Sequence, residues 1–216
     1  MSLARIFEEL QSRLKEKDKA REKVLSGART VGRASGQAIL SVHRGDYTDA
    51  KRRLREARGI LNRIERLIDQ HPELGCTGSV ITALQEYAEA RVFLGIAEKD
   101  IVLGPSRICV KPIPYLLGLG DLIGELRRRS LDSIRLGKLE IAESSLELME
   151  DIYTNIIALE DVQSSVPGLR RKSDVARHLI ETTRGDVTLE SRRLSLQRSI
   201  QSLEDKMTKH RSPGAA

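Results

Sequence analysis

"VITALQEYAEARVFLGIA", residues 80–97, carries only three formal charges, Glu86, Glu89 and Arg91, in an otherwise apolar or neutral stretch. Its apolar residues fall almost all round a 3.6-residue period rather than along one stripe, which marks a helix at the centre of a bundle. Glu86 lies within the row Ala83, Ala90, Phe93 and Ala97, where the neighbours ask for burial. A second run poses the same problem: "PYLLGLGDLIGEL", residues 114–126, places Asp121 and Glu125 among apolar residues. A buried carboxylate without a partner is costly or takes up a proton, so both acid pairs require compensation.

Helical spacing extends outward from these two segments. Val24, Ala28, Val31, Ser35, Ala38 and Val42 step by fours and threes, as do Ala50, Leu54, Ala57, Leu61, Ile64 and Ile68. Leu139, Ala142, Leu146, Met149, Tyr153 and Ile156 repeat the rhythm, and no segment sustains the two-residue alternation of a strand. The expected fold is all-α, with six to seven long helices. Gly45 ends a first helix over 3–44, and Asp46 is placed to cap a second over 47–70, which stops before Pro72. A third is expected over 79–103. The three prolines of "GPSRICVKPIP" (104–114) exclude a regular helix there. A fourth covers 115–136, a fifth 138–162, and a last one follows "SSVPG" to residue 205. Short loops between long helices predict one helical domain over 1–205, with 206–216 a flexible tail. "RGDYTDAKRRL" from Arg44 and "RGDVTLESRRL" from Arg184 are alike. The expected explanation is shared chain-turning chemistry, a Gly followed by a capping Asp, weighed against an ancient duplication or an adhesion motif, with Gly185 inside a continuous helix as a further alternative.

Composition narrows the class. The 216 residues contain 3% aromatics and no Trp, too little β-favouring material for a sandwich or barrel. Two cysteines, Cys76 and Cys109, offer neither a zinc spacing nor a disulfide framework and read as buried or idle thiols. The N-terminus is charged and amphipathic rather than a signal peptide, and no apolar run reaches membrane-spanning length. A cytoplasmic protein with no membrane partner is expected. The net charge of +6, from 37 Lys and Arg against 31 Asp and Glu, makes a polyanion a reasonable partner.

Glu86 and Glu89 are three apart and Asp121 and Glu125 four apart, so each pair shares one helix face. If the two helices pack together, four carboxylates converge and cannot all remain ionised without help. Arginines (Arg91, or Arg127 to Arg129), protons or a divalent cation can supply it. Only oxygens are offered, which selects a hard cation such as Mg²⁺ or Mn²⁺ over zinc. The histidines, His43, His71, His178 and His210, stand in no Glu-x-x-His pair of the di-iron type. Positive charge gathers at Lys15, Lys19 and Lys23, in "KRRLREAR" with Lys51, Arg52, Arg53 and Arg55, and at Arg127, Arg128 and Arg129. Each cluster reads either as a solvated face paired with local acids or as a phosphate-binding surface. Scarce aromatics point to recognition of phosphate and shape rather than of stacked bases.

"LQEYAEA" (84–90) and "YLLGLGDLIGEL" (115–126), in this order and separation, resemble the translin superfamily and in particular its catalytic branch, translin-associated factor X. The resemblance covers most of the chain, although relatives usually carry an acid where Pro114 stands. It implies a seven-helix fold assembling into a hollow, roughly octameric barrel, and Mg²⁺-dependent endoribonuclease activity on RNA. It assigns catalysis and metal binding to Glu86, Glu89, Asp121 and Glu125. Without the basic extension and central insertion of eukaryotic members, a compact prokaryotic or archaeal homo-oligomer is expected. The alternatives are a non-catalytic RNA- or DNA-binding oligomer of the translin kind and a helical scaffold with salt-bridged acids.

Overall fold

The computed structural model describes residues 3–159 and 165–210, with side chains described through 208. Seven α-helices and one 3-10 turn make up the architecture of these residues, with no strand among them. They are α1 (Leu3–His43), α2 (Tyr47–Gln70), α3 (Gly78–Lys99), the single-turn α4 (Pro105–Ile108), α5 (Pro112–Arg135), α6 (Leu139–Ile157) and α7 (Leu169–His210). The 3-10 turn, Pro72–Cys76, lies between α2 and α3.

The chain divides into two compact units. The first comprises Met1–Leu122 with Asp161–Lys172, and the second Ile123–Glu160 with Ser173–Ala216. In the first, α1 packs against α2 and α3. The periodic row of α1 forms its core: Val24, Ala28, Val31, Ser35, Ala38 and Val42 are all buried. They meet Ala50, Leu54, Ala57, Leu61 and Ile64 of α2 and the nearly all-apolar α3, whose Phe93 is among the largest fully buried side chains. The turn between α1 and α2 follows its sequence chemistry. Gly45 takes φ of +75°, and the Asp46 carboxylate accepts from the Asp49 amide at 2.9 Å, filling one of the donors a helix start leaves unpaired. Tyr47 donates from its hydroxyl to the Ala97 carbonyl at 3.0 Å, tying the start of α2 to the end of α3.

In the first unit, two boundaries depart from the expected ones, for local reasons. α3 stops at Lys99 rather than 103, with Asp100 left-handed at φ of 54°. The chain folds back over Gly95, where a Cβ would stand 2.7 Å from the Ile101 carbonyl oxygen. The proline-rich segment is not wholly irregular: α4 occupies part of it, and α5 begins at Pro112. The first i-to-i−4 bond of α5 is Tyr115 N–H to Lys111 C=O at 3.2 Å. Pro112 and Pro114 therefore fall where a helix has no internal use for an amide hydrogen.

In the second unit, Ser130 donates to the Ala142 carbonyl at 3.1 Å, and Arg184 pairs with Glu150 at 2.7 Å. Gly137, at φ of 70°, ends α5 as expected. α6 ends at Ile157, and Val162 lies outside the described residues. α7 continues through His210, beyond the expected end at 205, and Gly185 sits within it. The two Arg-Gly-Asp sequences thus have different structures, one a turn and one a helix interior, so shared turning chemistry does not explain them. Cys76 and Cys109 are free and exposed rather than buried.

Candidate functional site

Three of the four acids, Glu86, Glu89 and Asp121, belong to the first unit. The crossing that brings α3 and α5 together depends on Gly118. A Cβ there would stand 2.7 Å from the Gln85 carbonyl oxygen, 3.1 Å from the Glu89 amide nitrogen and 3.1 Å from the Ala88 Cβ. Backbone therefore lies on backbone, and any side chain at 118 would force the helices apart. Asp121 follows Gly118 by three residues and shares its face, so the crossing carries Asp121 to the Gln85–Glu89 segment of α3.

Glycines also shape the surroundings of the acids. A Cβ at Gly32 of α1 would collide with Oε2 of Glu86, so the carboxylate lies against bare helix backbone. Burial, and then the charge of Asp121, push the Glu86 carboxyl above the usual carboxylate range. This repulsion registers the nearness of the two acids. Glu89 is half-buried on α3; Glu125 is half-buried on α5, one turn beyond Asp121, and falls in the second unit.

Compensation of Asp121 comes from a residue that the sequence did not single out. Lys172, 51 residues away near the start of α7, donates from Nζ to Oδ1 of Asp121, while Gln85 donates from Nε2 to Oδ2. The aliphatic stem of Lys172 lies against Gly120, where a Cβ would stand 3.0 Å from its Cδ and 3.2 Å from its Cβ. The pair is only partly shielded, Lys172 being 23% and Asp121 31% exposed. Of the arginines offered by the sequence, Arg127 bonds to Thr182 at 2.8 Å and Thr183 at 2.7 Å, and the buried Nε of Arg91 has no hydrogen-bond partner among the described residues. Among the described residues, no three His, Cys, Asp or Glu side chains stand close enough to hold a metal ion. Sequence reasoning also missed Gly32, Gly118 and Gly120; the alternation of Gly with apolar residues in "LLGLGDL" was the only signal of a close approach.

The basic residues are largely tied into local pairs. Lys51 meets Glu98, and Arg52 reaches Asp49 at 2.5 Å and Glu56 at 2.7 Å. Arg53 reaches the other oxygen of Asp49 at 2.5 Å. Hydrogen bonds from Ser41, Arg53 and Arg52 hold the Asp49 carboxyl far below its usual range. Exposed Arg55 donates to the Lys51 carbonyl at 3.4 Å. In the second unit, Arg128 lies 4.0 Å from Asp132, and Arg129 donates to Ser145 at 3.1 Å.

Fold and site together define an all-α bundle protein with paired carboxylates set on closely crossing helices. Residues 19–183 match the model of the Translin family. An uncharacterized protein of Methanocaldococcus jannaschii is 30% identical over 193 residues, covering 88% of this chain and 85% of that protein. Among solved structures, AfC3PO superposes with a TM-score of 0.76 at 32% identity, covering 86% of this chain and 96% of that one. Its complex with duplex RNA gives a TM-score of 0.74 at the same identity and coverage. Apo-NeC3PO shares the fold, with a TM-score of 0.76, 21% identity and coverage of 85% and 96%. The chain belongs to the Translin family. Among its described residues, no helix is long and apolar enough to cross a membrane.

Proposed function

We propose that this chain is a Mg²⁺-dependent endoribonuclease that binds RNA as a homo-oligomer and cleaves its phosphodiester bonds with Glu86, Glu89, Asp121 and Glu125. Likeness to AfC3PO, which forms a complex with duplex RNA, supports the RNA partner; the oligomer follows from the family resemblance. The observation that carries the catalytic part is the Glu86–Asp121 neighbourhood. Two carboxylates on crossing helices are close enough that one raises the proton affinity of the other, a repulsion that a cation relieves.

The donor chemistry fits a hard cation. Every candidate ligand is a carboxylate oxygen, the set that Mg²⁺ and Mn²⁺ prefer, and the potential at Asp121 already attracts an ammonium. Glu86, Glu89, Asp121 and Glu125 would hold the ion. When bound, it supplies polarisation of the phosphate, activation of water and stabilisation of the leaving oxygen. The protein's own part is positional. Gly118 sets the distance between α3 and α5, Gly32 gives Glu86 a seat, and Gln85 orients Asp121 through Oδ2. Exposed cations such as Arg55 would neutralise phosphates without reading bases.

One observation favours a second reading, a non-catalytic RNA- or DNA-binding oligomer. Asp121 is satisfied on both oxygens by Lys172 and Gln85, and the described residues contain no metal-ready cluster. Incubating short RNAs with and without Mg²⁺, beside a measurement of solution mass, separates the two. Cation-dependent cleavage by an oligomer supports the nuclease; tight RNA binding by an oligomer without cleavage supports the alternative.

A further inference from the structure

We propose that Lys172 is a resident counter-cation of Asp121, which a divalent ion must displace to bind; the inference rests on the metal-site reading above. The contact is built into the fold. The Lys172 stem runs over Gly120, and this bare stretch of α5 directs its ammonium onto Oδ1 of the residue that follows. Gln85 holds the other oxygen from a different helix, so the carboxylate keeps its orientation when the ammonium leaves. The Lys172 amide donates to the Gly168 carbonyl at 3.1 Å, which anchors the residue in the first turn of α7 while its side chain moves.

Displacement follows from electrostatics and geometry. An ammonium at contact distance from Oδ1 occupies the direction from which a cation would approach that oxygen. A divalent ion beside it adds repulsion between positive charges, which weakens little in a partly shielded site. Lysine suits this role better than arginine: it is a single point charge on a flexible four-carbon stem, without the planar fork that grips a carboxylate at two points. With the ion absent, Lys172 offsets one of the two adjacent negative charges and lets the α3–α5 crossing form. With the ion present, its freed ammonium stays within reach of the same acid and meets the negative charge of a bound phosphate.

Mn²⁺ alone serves as the probe, titrated into the full-length chain and followed by the electron paramagnetic resonance of free Mn²⁺. Lys172→Met removes the competitor and should bind Mn²⁺ about tenfold more tightly than wild type. Lys172→Gln, which keeps a donor but drops the charge, should move in the same direction and decides the matter if the Met variant does not fold. Lys172→Arg should bind no more tightly than wild type. Thermal melting supplies a second readout: Lys172→Met should melt below wild type without cation and recover with saturating Mn²⁺. If wild type binds Mn²⁺ and the charge-removing variants bind it equally or less well, Lys172 is not a competitor and the proposal fails. If neither wild type nor any variant binds Mn²⁺, the metal-site reading fails and takes this proposal with it.

Discussion

Gly118 and Gln85 stand backbone to backbone: a Cβ on Gly118 would lie 2.7 Å from the Gln85 carbonyl oxygen. Together with the Glu89 amide nitrogen and the Ala88 Cβ, each 3.1 Å from that Cβ position, this contact limits how closely α5 approaches the acid-bearing face of α3. Real Cβ atoms do not approach backbone oxygen that closely, and neither partner is the end of a flexible side chain. Gly118→Ala must therefore shift a helix. The expected cost is about 1–3 kcal/mol, the range for overpacking in a filled interior, read as a lower midpoint in chemical denaturation. Because the shift separates α3 from α5, RNA cleavage should fall more than stability alone explains. An unchanged midpoint would mean that the crossing is slack.

Glu86 gives the fold a pH dependence. Its folded-state carboxyl binds a proton more tightly than the ordinary carboxyl of pKa 4.5. Folding thus takes up a proton in the window between 4.5 and the raised folded value, and there stability falls as pH rises. At neutral pH the ionised carboxylate is a net liability in the metal-free chain. Glu86→Gln should raise the melting temperature at pH 7 without cation and flatten the dependence above 4.5. Melts from pH 4 to pH 8 check this; a variant less stable than wild type at pH 7 would contradict it.

The basic residues should divide into two kinds. Arg53 is locked between Asp49 and Gln37, so Arg53→Ala should lower the melting temperature by loosening the α1–α2 contact. Arg55 is exposed and bonded only weakly to the Lys51 carbonyl, so Arg55→Ala should leave melting unchanged. If Arg55 contacts a phosphate, that variant should bind duplex RNA more weakly and reduce the slope of log affinity against log salt by about one. Fluorescence anisotropy across salt concentrations measures both. Salt-independent binding by wild type would remove the phosphate contacts from the account.

The bundle was legible because burial imposes a period. Every residue of the Val24–Val42 row and all of the Ala50–Ile68 row but Ile68 itself are buried where a 3.6-residue repeat places them. Gly45 and Asp46 announced their turn because only a left-handed residue followed by a side-chain acceptor closes it so tightly. The acid pairs were legible as charges in apolar surroundings. Their compensation was not. Lys172 lies 51 residues from Asp121, and its own neighbourhood, "GLRRKSDVARH", is basic and polar like any exposed helix start. Arg91 and Arg127 looked better placed only because they are nearer along the chain. Gly118 and Gly32 were unreadable for a related reason: a glycine inside a helix costs stability by itself, and what it gains depends on which helix crosses there. The α3 end was missed because Asp100 adopts a left-handed conformation that usually falls to glycine or asparagine.

The most direct test of the central claim is cleavage of a short end-labelled RNA by wild type, Glu89→Gln and Asp121→Asn, each assayed in Mg²⁺ and in EDTA. Cleavage should occur only with wild type in Mg²⁺. Each variant should lose ~100-fold or more in rate while keeping the solution mass and RNA affinity of wild type. Cleavage that persists in EDTA, or in either variant at the wild-type rate, would contradict the assignment of these acids to a metal-dependent nuclease centre.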